Sequence, residues 1–112
     1  MPITLNWEQI QPLIKKMDIN DAMREAFIQY SKGNAVIPPV GELIMDQPPG
    51  EVHIKYGYIK GGNHYVIKIA SGFPHNQNQN IKPGQGMMLL FDIKTGVPDA
   101  ILIDNANLTD IR

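Results

Sequence analysis

Two lysines and a histidine with spacing suited to chemistry lie on a pair of alternating runs, Glu51–Lys60 and Asn63–Ala70, that meet at Gly61-Gly62. A Gly-Gly step between two such runs predicts a β-hairpin. A two-residue loop there, or a four-residue loop at Lys60–Asn63, sets Lys55 opposite Lys68, His53 opposite Ala70 and Gly57 opposite Val66 on one face. The other face then pairs Tyr58 with Tyr65, Tyr56 with Ile67 and Ile54 with Ile69, all apolar or aromatic. A three-residue loop would break that alternation. Like charges directly opposite one another destabilise a sheet unless something negative lies between them, and a bound carboxylate or phosphate would supply it.

The bland reading of the same residues is a solvated face, where long lysine stems reach to water. Against it stands the run Tyr65-Val66-Ile67-Lys68-Ile69-Ala70, apolar on both sides of Lys68, which suggests a strand buried on both faces. Burial and a like-charged neighbour both disfavour an ammonium ion. A lysine so placed becomes a proton donor and acceptor near neutral pH.

Other constellations carry less. His53, His64 and His75 lack metal-ligand spacing, so no metal site is expected. Ser71 and Thr109 have no His and Asp arranged to activate them. Asp104 and Asp110 suit turns and caps as well as they suit catalytic acids, and Asn76–Asn80 suits a polar loop whose amides could bond a ligand. The chain has 112 residues and is 43% hydrophobic, a length that fits one domain, residues 1–112. Eleven acidic and ten basic side chains leave a net charge of −1, which provides no field for nucleic acid or an anionic membrane. No apolar run approaches the ~18–20 residues that cross a bilayer, and the absence of Cys excludes disulfides and thiolate zinc. A cytoplasmic location is expected. No G-x-G-x-x-G stands between a strand and a helix, so no dinucleotide fold is expected in this chain.

The elements that must position the lysines follow from pattern. Asn6 caps a short helix with Gln9 at the capping-box position, and Pro12 limits its regularity. A second helix spans about residues 19–32, capped by Asp18 or Asn20 and closed at Gly33. Residues 35–40 are extended, 41–46 form a strand, and 47–50 turn. After the hairpin, residues 71–86 read as a long loop, Met87–Ile93 and Pro98–Asp104 as strands, and Asn107–Asp110 as a helix start. The fold class is α+β, with helices packed on one face of a mostly antiparallel sheet of five or six strands.

The order of motifs is also familiar. Val-Ile-Pro-Pro (36–39), Val-Ile-Lys-Ile-Ala-Ser-Gly-Phe-Pro-His-Asn (66–76), the run from Leu89 to Asp104 and Leu-Thr-Asp-Ile-Arg (108–112) come in sequence. Together they resemble the first third of the ornithine cyclodeaminase/mu-crystallin family. The resemblance implies an N-terminal substrate-binding domain that dimerises through its sheet, a Rossmann domain following it, and a homodimer or larger assembly. It implies a small amino acid or cyclic imino acid as substrate, cyclodeaminated or reduced, with NAD(H) or NADP(H) in the complete enzyme and no cofactor-binding residue in this chain. Lys68 matches the family's active-site lysine, Arg112 an arginine that holds the substrate carboxylate, and Asn76 the Asn of a Phe-Pro-x-Asn segment. Lys55 and His53 would assist with the carboxylate; some members carry Arg at the position of His53. Many members have Arg or Lys where this chain has Val40, and the family's Gly-Leu-Pro-Thr loop is altered around Asn80-Ile81-Lys82-Pro83. The fragment alone is expected to be inactive. The contrasting expectation is a non-catalytic ligand-binding or oligomerisation module that keeps the scaffold.

Overall fold

The computed structural model describes residues 1–111, without the side chains of Asp110 and Ile111; Arg112 lies outside the described residues. Strand β1 (Ile3–Asn6) leads into helix α1 (Trp7–Ile14) and helix α2 (Ile19–Ser31). Strands β2 (Ala35–Val36), β3 (Gly41–Asp46), β4 (Pro49–Ile59) and β5 (His64–Gly72) follow. A 3-10 helix (Pro74–Gln79) then precedes β6 (Gly84–Asp92), β7 (Pro98–Ile103) and helix α3 (Asn107–Ile111).

The helix starts form as local chemistry dictates. Asn6 Oδ1 accepts from the Gln9 amide at 2.9 Å and Gln9 Oε1 accepts from the Asn6 amide at 2.9 Å, which satisfies two N–H groups that the first turn leaves open. Asp18 caps α2 through the Asp21 amide at 3.0 Å. At the other end Gly33, with φ of +76°, provides the left-handed residue that closes the helix.

The seven strands form one sheet in the order β1-β7-β6-β5-β4-β2, with β3 also on β4. All neighbours are antiparallel except β1 and β7, so the sheet is mixed. The hairpin has the expected register: Lys55 pairs with Lys68, His53 with Ala70, Tyr56 with Ile67 and Tyr58 with Tyr65. Residues 60–63 form its loop, with Gly61 at φ +85°.

Two expectations are corrected here. The 71–86 segment is not all loop: it holds the 3-10 helix, and β6 starts at Gly84. Lys68 does not lie in a strand buried on both faces; β5 is half-buried along Tyr65–Gly72. The cause is the second face. Ile54, Tyr56, Ile67, Leu89 and Phe91 share it by register, and Tyr56 remains 42% exposed. Tyr65 and Phe91 stack on that face with ring centres 4.8 Å apart. Among the described residues Ile10, at 4% exposure, is the one buried apolar side chain. The accessible surface is 7887 Å², against about 6,200 Å² for a folded monomer of this length. The excess over that value is roughly 1,700 Å².

Candidate active site

The hairpin register puts Lys55 and Lys68 side by side on one face, with His53 one alternation further along β4 and Met88 facing Lys68 from β6. Lys68 is half-buried and Lys55 exposed. Both line an open groove of about 570 Å³, together with Ala26 and Tyr30 of α2 and with Ile37. Gly57, between the two lysine-bearing positions and the groove wall, has no room for a side chain, since a Cβ there would stand 2.5 Å from the Val36 carbonyl oxygen. The chain can thus run close over the sheet at this edge.

Above Lys68 lies the segment from Asp104 to α3. Lys68 Nζ donates a hydrogen bond to Thr109 Oγ1. Asp104 is only 2% exposed, and its Oδ2 accepts from the Leu108 amide at 3.0 Å while its carbonyl accepts from Asn107. It is a capping residue, one of the two roles its position allowed. Asn105 and Ala106 both adopt left-handed backbone, with φ of 52° and 66°. Lys82 reaches this turn from the loop before β6, donating to the Asn105 carbonyl at 2.7 Å and to Asn107 Oδ1 at 2.8 Å.

His53 is turned toward β3, where its Nε2 lies 3.2 Å from Glu42 Oε2. The pair is a direct cross-strand neighbour in register. One ring nitrogen is therefore engaged, and Nδ1 is left for another partner. Asn76 lies in the 3-10 helix and its Nδ2 donates to the Lys82 carbonyl at 3.4 Å. That bond places it in the loop scaffold rather than in contact with Lys68. Arg112 falls outside the described residues. Lys55, Lys68 and His53 are thus brought to one face, with Asn76 joined to them through the Lys82 loop.

Away from this face, His64 Nε2 sits 3.2 Å from Asp99 Oδ2. Asp92 closes the β6–β7 turn, and the backbone amides of Lys94 and then Thr95 hold its carboxyl below the usual range. His75 Nδ1 is buried and has no hydrogen-bond partner among the described residues. No three His, Asp or Glu side chains converge as metal ligands among the described residues.

Sequence reasoning missed Thr109 and Lys82. Thr109 was considered only as a nucleophile, and its contact with Lys68 spans 41 residues of chain. The one signal pointing to Lys82 was its place within an altered loop.

Comparison with known proteins gives the family and the fold. The model of the ornithine cyclodeaminase/mu-crystallin family matches residues 3–112. A Sinorhizobium fredii protein named as an uncharacterized cyclodeaminase is 38% identical over 105 residues, 93% of this chain and 31% of that protein. Among solved structures, Thermococcus litoralis Δ1-pyrroline-2-carboxylate reductase, in complex with NADH and L-proline, superposes with a TM-score of 0.87 at 20% identity. That match covers 96% of this chain and 33% of the reductase. An archaeal alanine dehydrogenase dimer with bound NAD gives 0.80 at 23% identity, over 96% of this chain and 32% of that one. The chain spans about a third of the length of the relatives it matches. No described helix is long and apolar enough to cross a membrane.

Proposed function

The chain belongs to the ornithine cyclodeaminase/mu-crystallin family, and from that premise we propose that it is the substrate-binding part of an NAD(P)-dependent enzyme acting on an amino acid or cyclic imino acid. The observation that carries the reading is the direct pairing of Lys55 with Lys68 on a half-buried face beneath the Asp104–α3 segment. Two like charges side by side on one sheet face attract a carboxylate, and a substrate carboxylate lying between them would lower their mutual repulsion. Lys55 holds that carboxylate with the free ring nitrogen of His53; Arg112 is assigned the same task from the family resemblance alone. Lys68 holds or moves a proton at the substrate's amine or imine nitrogen, a role open to a lysine whose ammonium is partly desolvated. Asn76 orders the loop that borders the site.

The bound dinucleotide would accept or supply hydride. The described residues give it no G-x-G-x-x-G cradle: Gly84 and Gly86 lie inside strand β6, against the turn at Ala106. A Cβ on Gly86 would stand 2.7 Å from the Ile69 carbonyl oxygen, and the Ala106 backbone lies over the same spot. The cofactor is accordingly assigned to the remaining two thirds of a full-length relative, and no step is routed through it here.

The uncovered face supports a second part of the proposal, a homodimer in which the Tyr56, Ile67 and Leu89 faces of two copies meet. The surplus of about 1,700 Å² per chain is what a large, obligate interface buries. The reading frame beyond the Arg112 codon tests the enzyme assignment. A G-x-G-x-x-G between a strand and a helix is expected there, with imino-acid-dependent oxidation of NADH or NADPH that Lys68→Met abolishes. A frame without the fingerprint, or turnover untouched by Lys68→Met, overturns it. Ligand binding with no turnover would make the chain a binding module.

A further inference from the structure

We infer that Lys82 is a positioning residue for Lys68, acting at a distance through the Asn105–Ala106 turn and Thr109. The geometry stands by itself; its meaning for catalysis rests on Lys68 being the reactive lysine proposed above. Helix α3 is five residues long, too short to hold its own shape, so whatever fixes its first turn decides where Thr109 points. Three groups do so. Asp104 ties the Asn107 and Leu108 amides from the sheet side. Gly84 and Gly86 leave the flat surface on which Ala106 rests, 3.7 Å from where their Cβ atoms would be. Lys82 closes the outer side, its ammonium bonded on one flank of Ala106 to the Asn105 carbonyl and on the other to Asn107 Oδ1.

The turn that Lys82 grips is the costly part of the segment. Two successive residues with positive φ, one of them alanine, persist only where the surroundings over-determine them. A cation bonded to a carbonyl and an amide oxygen across that turn is such a constraint. With the turn held, Thr109 Oγ1 meets Lys68 Nζ. Lys82 is itself anchored, because its carbonyl accepts from Gln85 Nε2 at 3.0 Å and from Asn76 Nδ2 at 3.4 Å. One residue thus links the loop that carries Asn76 to the helix that sets Lys68.

The test is lysine side-chain NMR on the isotope-labelled chain, reading proton exchange at Lys68 Nζ. Lys82→Met is expected to speed that exchange about three- to tenfold, the loss that one hydrogen bond's protection accounts for. Thr109→Val should do the same, and the double variant should do no more than either alone. Lys82→Arg and Thr109→Ser should restore slow exchange, with the β5–β6 backbone amides unmoved throughout. A purely structural role would not be confined to Lys68. Unchanged exchange in Lys82→Met, where Thr109→Val accelerates it, overturns the role of Lys82; unchanged exchange in both overturns the contact itself. If either variant fails to fold, a nuclear Overhauser contact between the Lys68 ε-methylene and the Thr109 methyl in the unsubstituted chain decides the point, and its absence is contrary. Positioning that holds while Lys68→Met leaves turnover intact would sink the assignment of Lys68 and leave this inference standing.

Discussion

Replacing Lys55 by Gln should make the ligand-free chain more stable, not less. Lys55 and Lys68 are direct partners in the β4–β5 ladder, so their Cβ atoms lie about 5 Å apart and their ammonium groups can diverge to about 7 Å. At that separation, and with an effective dielectric constant of about 40–80 for a half-exposed pair, the repulsion is roughly 0.6–1.2 kcal/mol. A Debye length of about 8 Å at 0.15 M salt cuts it to roughly 0.3–0.5 kcal/mol. For a chain of this size the melting temperature of Lys55→Gln should then rise by about 4 °C near 10 mM salt and by only about 2 °C at 0.15 M. Circular-dichroism melts at fixed protein concentration give the comparison, which self-association would otherwise disturb. Lys55→Glu should gain more, because it puts a carboxylate opposite Lys68. A saturating amino acid should stabilise the natural chain more than Lys55→Gln. A variant that melts below the natural chain at low salt, or a difference that salt does not change, would refute the reasoning.

Three further outcomes are expected. Gly86→Ala should cost about 1–3 kcal/mol in urea unfolding, because its Cβ would press on the Ile69 carbonyl 2.7 Å away, while Gly84→Ala, whose Cβ would rest 3.7 Å from that of Ala106, should cost far less. Ile67→Lys, at the middle of the uncovered face, should convert an associating chain to a monomer in sedimentation velocity without altering the Lys55–Lys68 face. The depressed Asp92 carboxyl contributes stability that is complete above the unfolded carboxylate range and lost as pH falls through the folded value. Urea midpoints of the natural chain and Asp92→Asn should therefore differ above about pH 5 and converge on acidification.

The sheet register could be read in advance because two constraints agreed. The Gly61-Gly62 step and the alternation of Tyr56, Tyr58, Tyr65 and Ile67 each pointed to the same pairing, and a slip by one residue would have split these apolar groups between the two faces. Helix α2 was equally legible from Asp18 and Gly33, whose capping chemistry is local. Strand β1 was not, since four residues pairing in parallel with a strand near the other end of the chain leave no local signal. The start of β6 was hidden by Gly84-Gln85-Gly86, where two residues have no side chain to show alternation. Lys68 is on the expected face but less buried than its apolar neighbours suggest, because a run apolar on both sides does not by itself bury a strand, and β5 is half-buried along Tyr65–Gly72. Thr109 and Lys82 needed the three-dimensional path of the chain; nothing in their spacing announced that they meet at Lys68.

The central claim is that the Lys55–Lys68 face receives the carboxylate of an amino or imino acid. Titrating the labelled chain with L-proline, the amino acid bound by the Thermococcus reductase, and in parallel with L-prolinamide, tests it most directly. The lysine side-chain signals of Lys55 and Lys68 should shift and saturate with proline, stay fixed with the amide that lacks a carboxylate, and do so while the Tyr56–Ile67 face is unperturbed. Equal response to both compounds, or a saturating response confined to other residues, would contradict it.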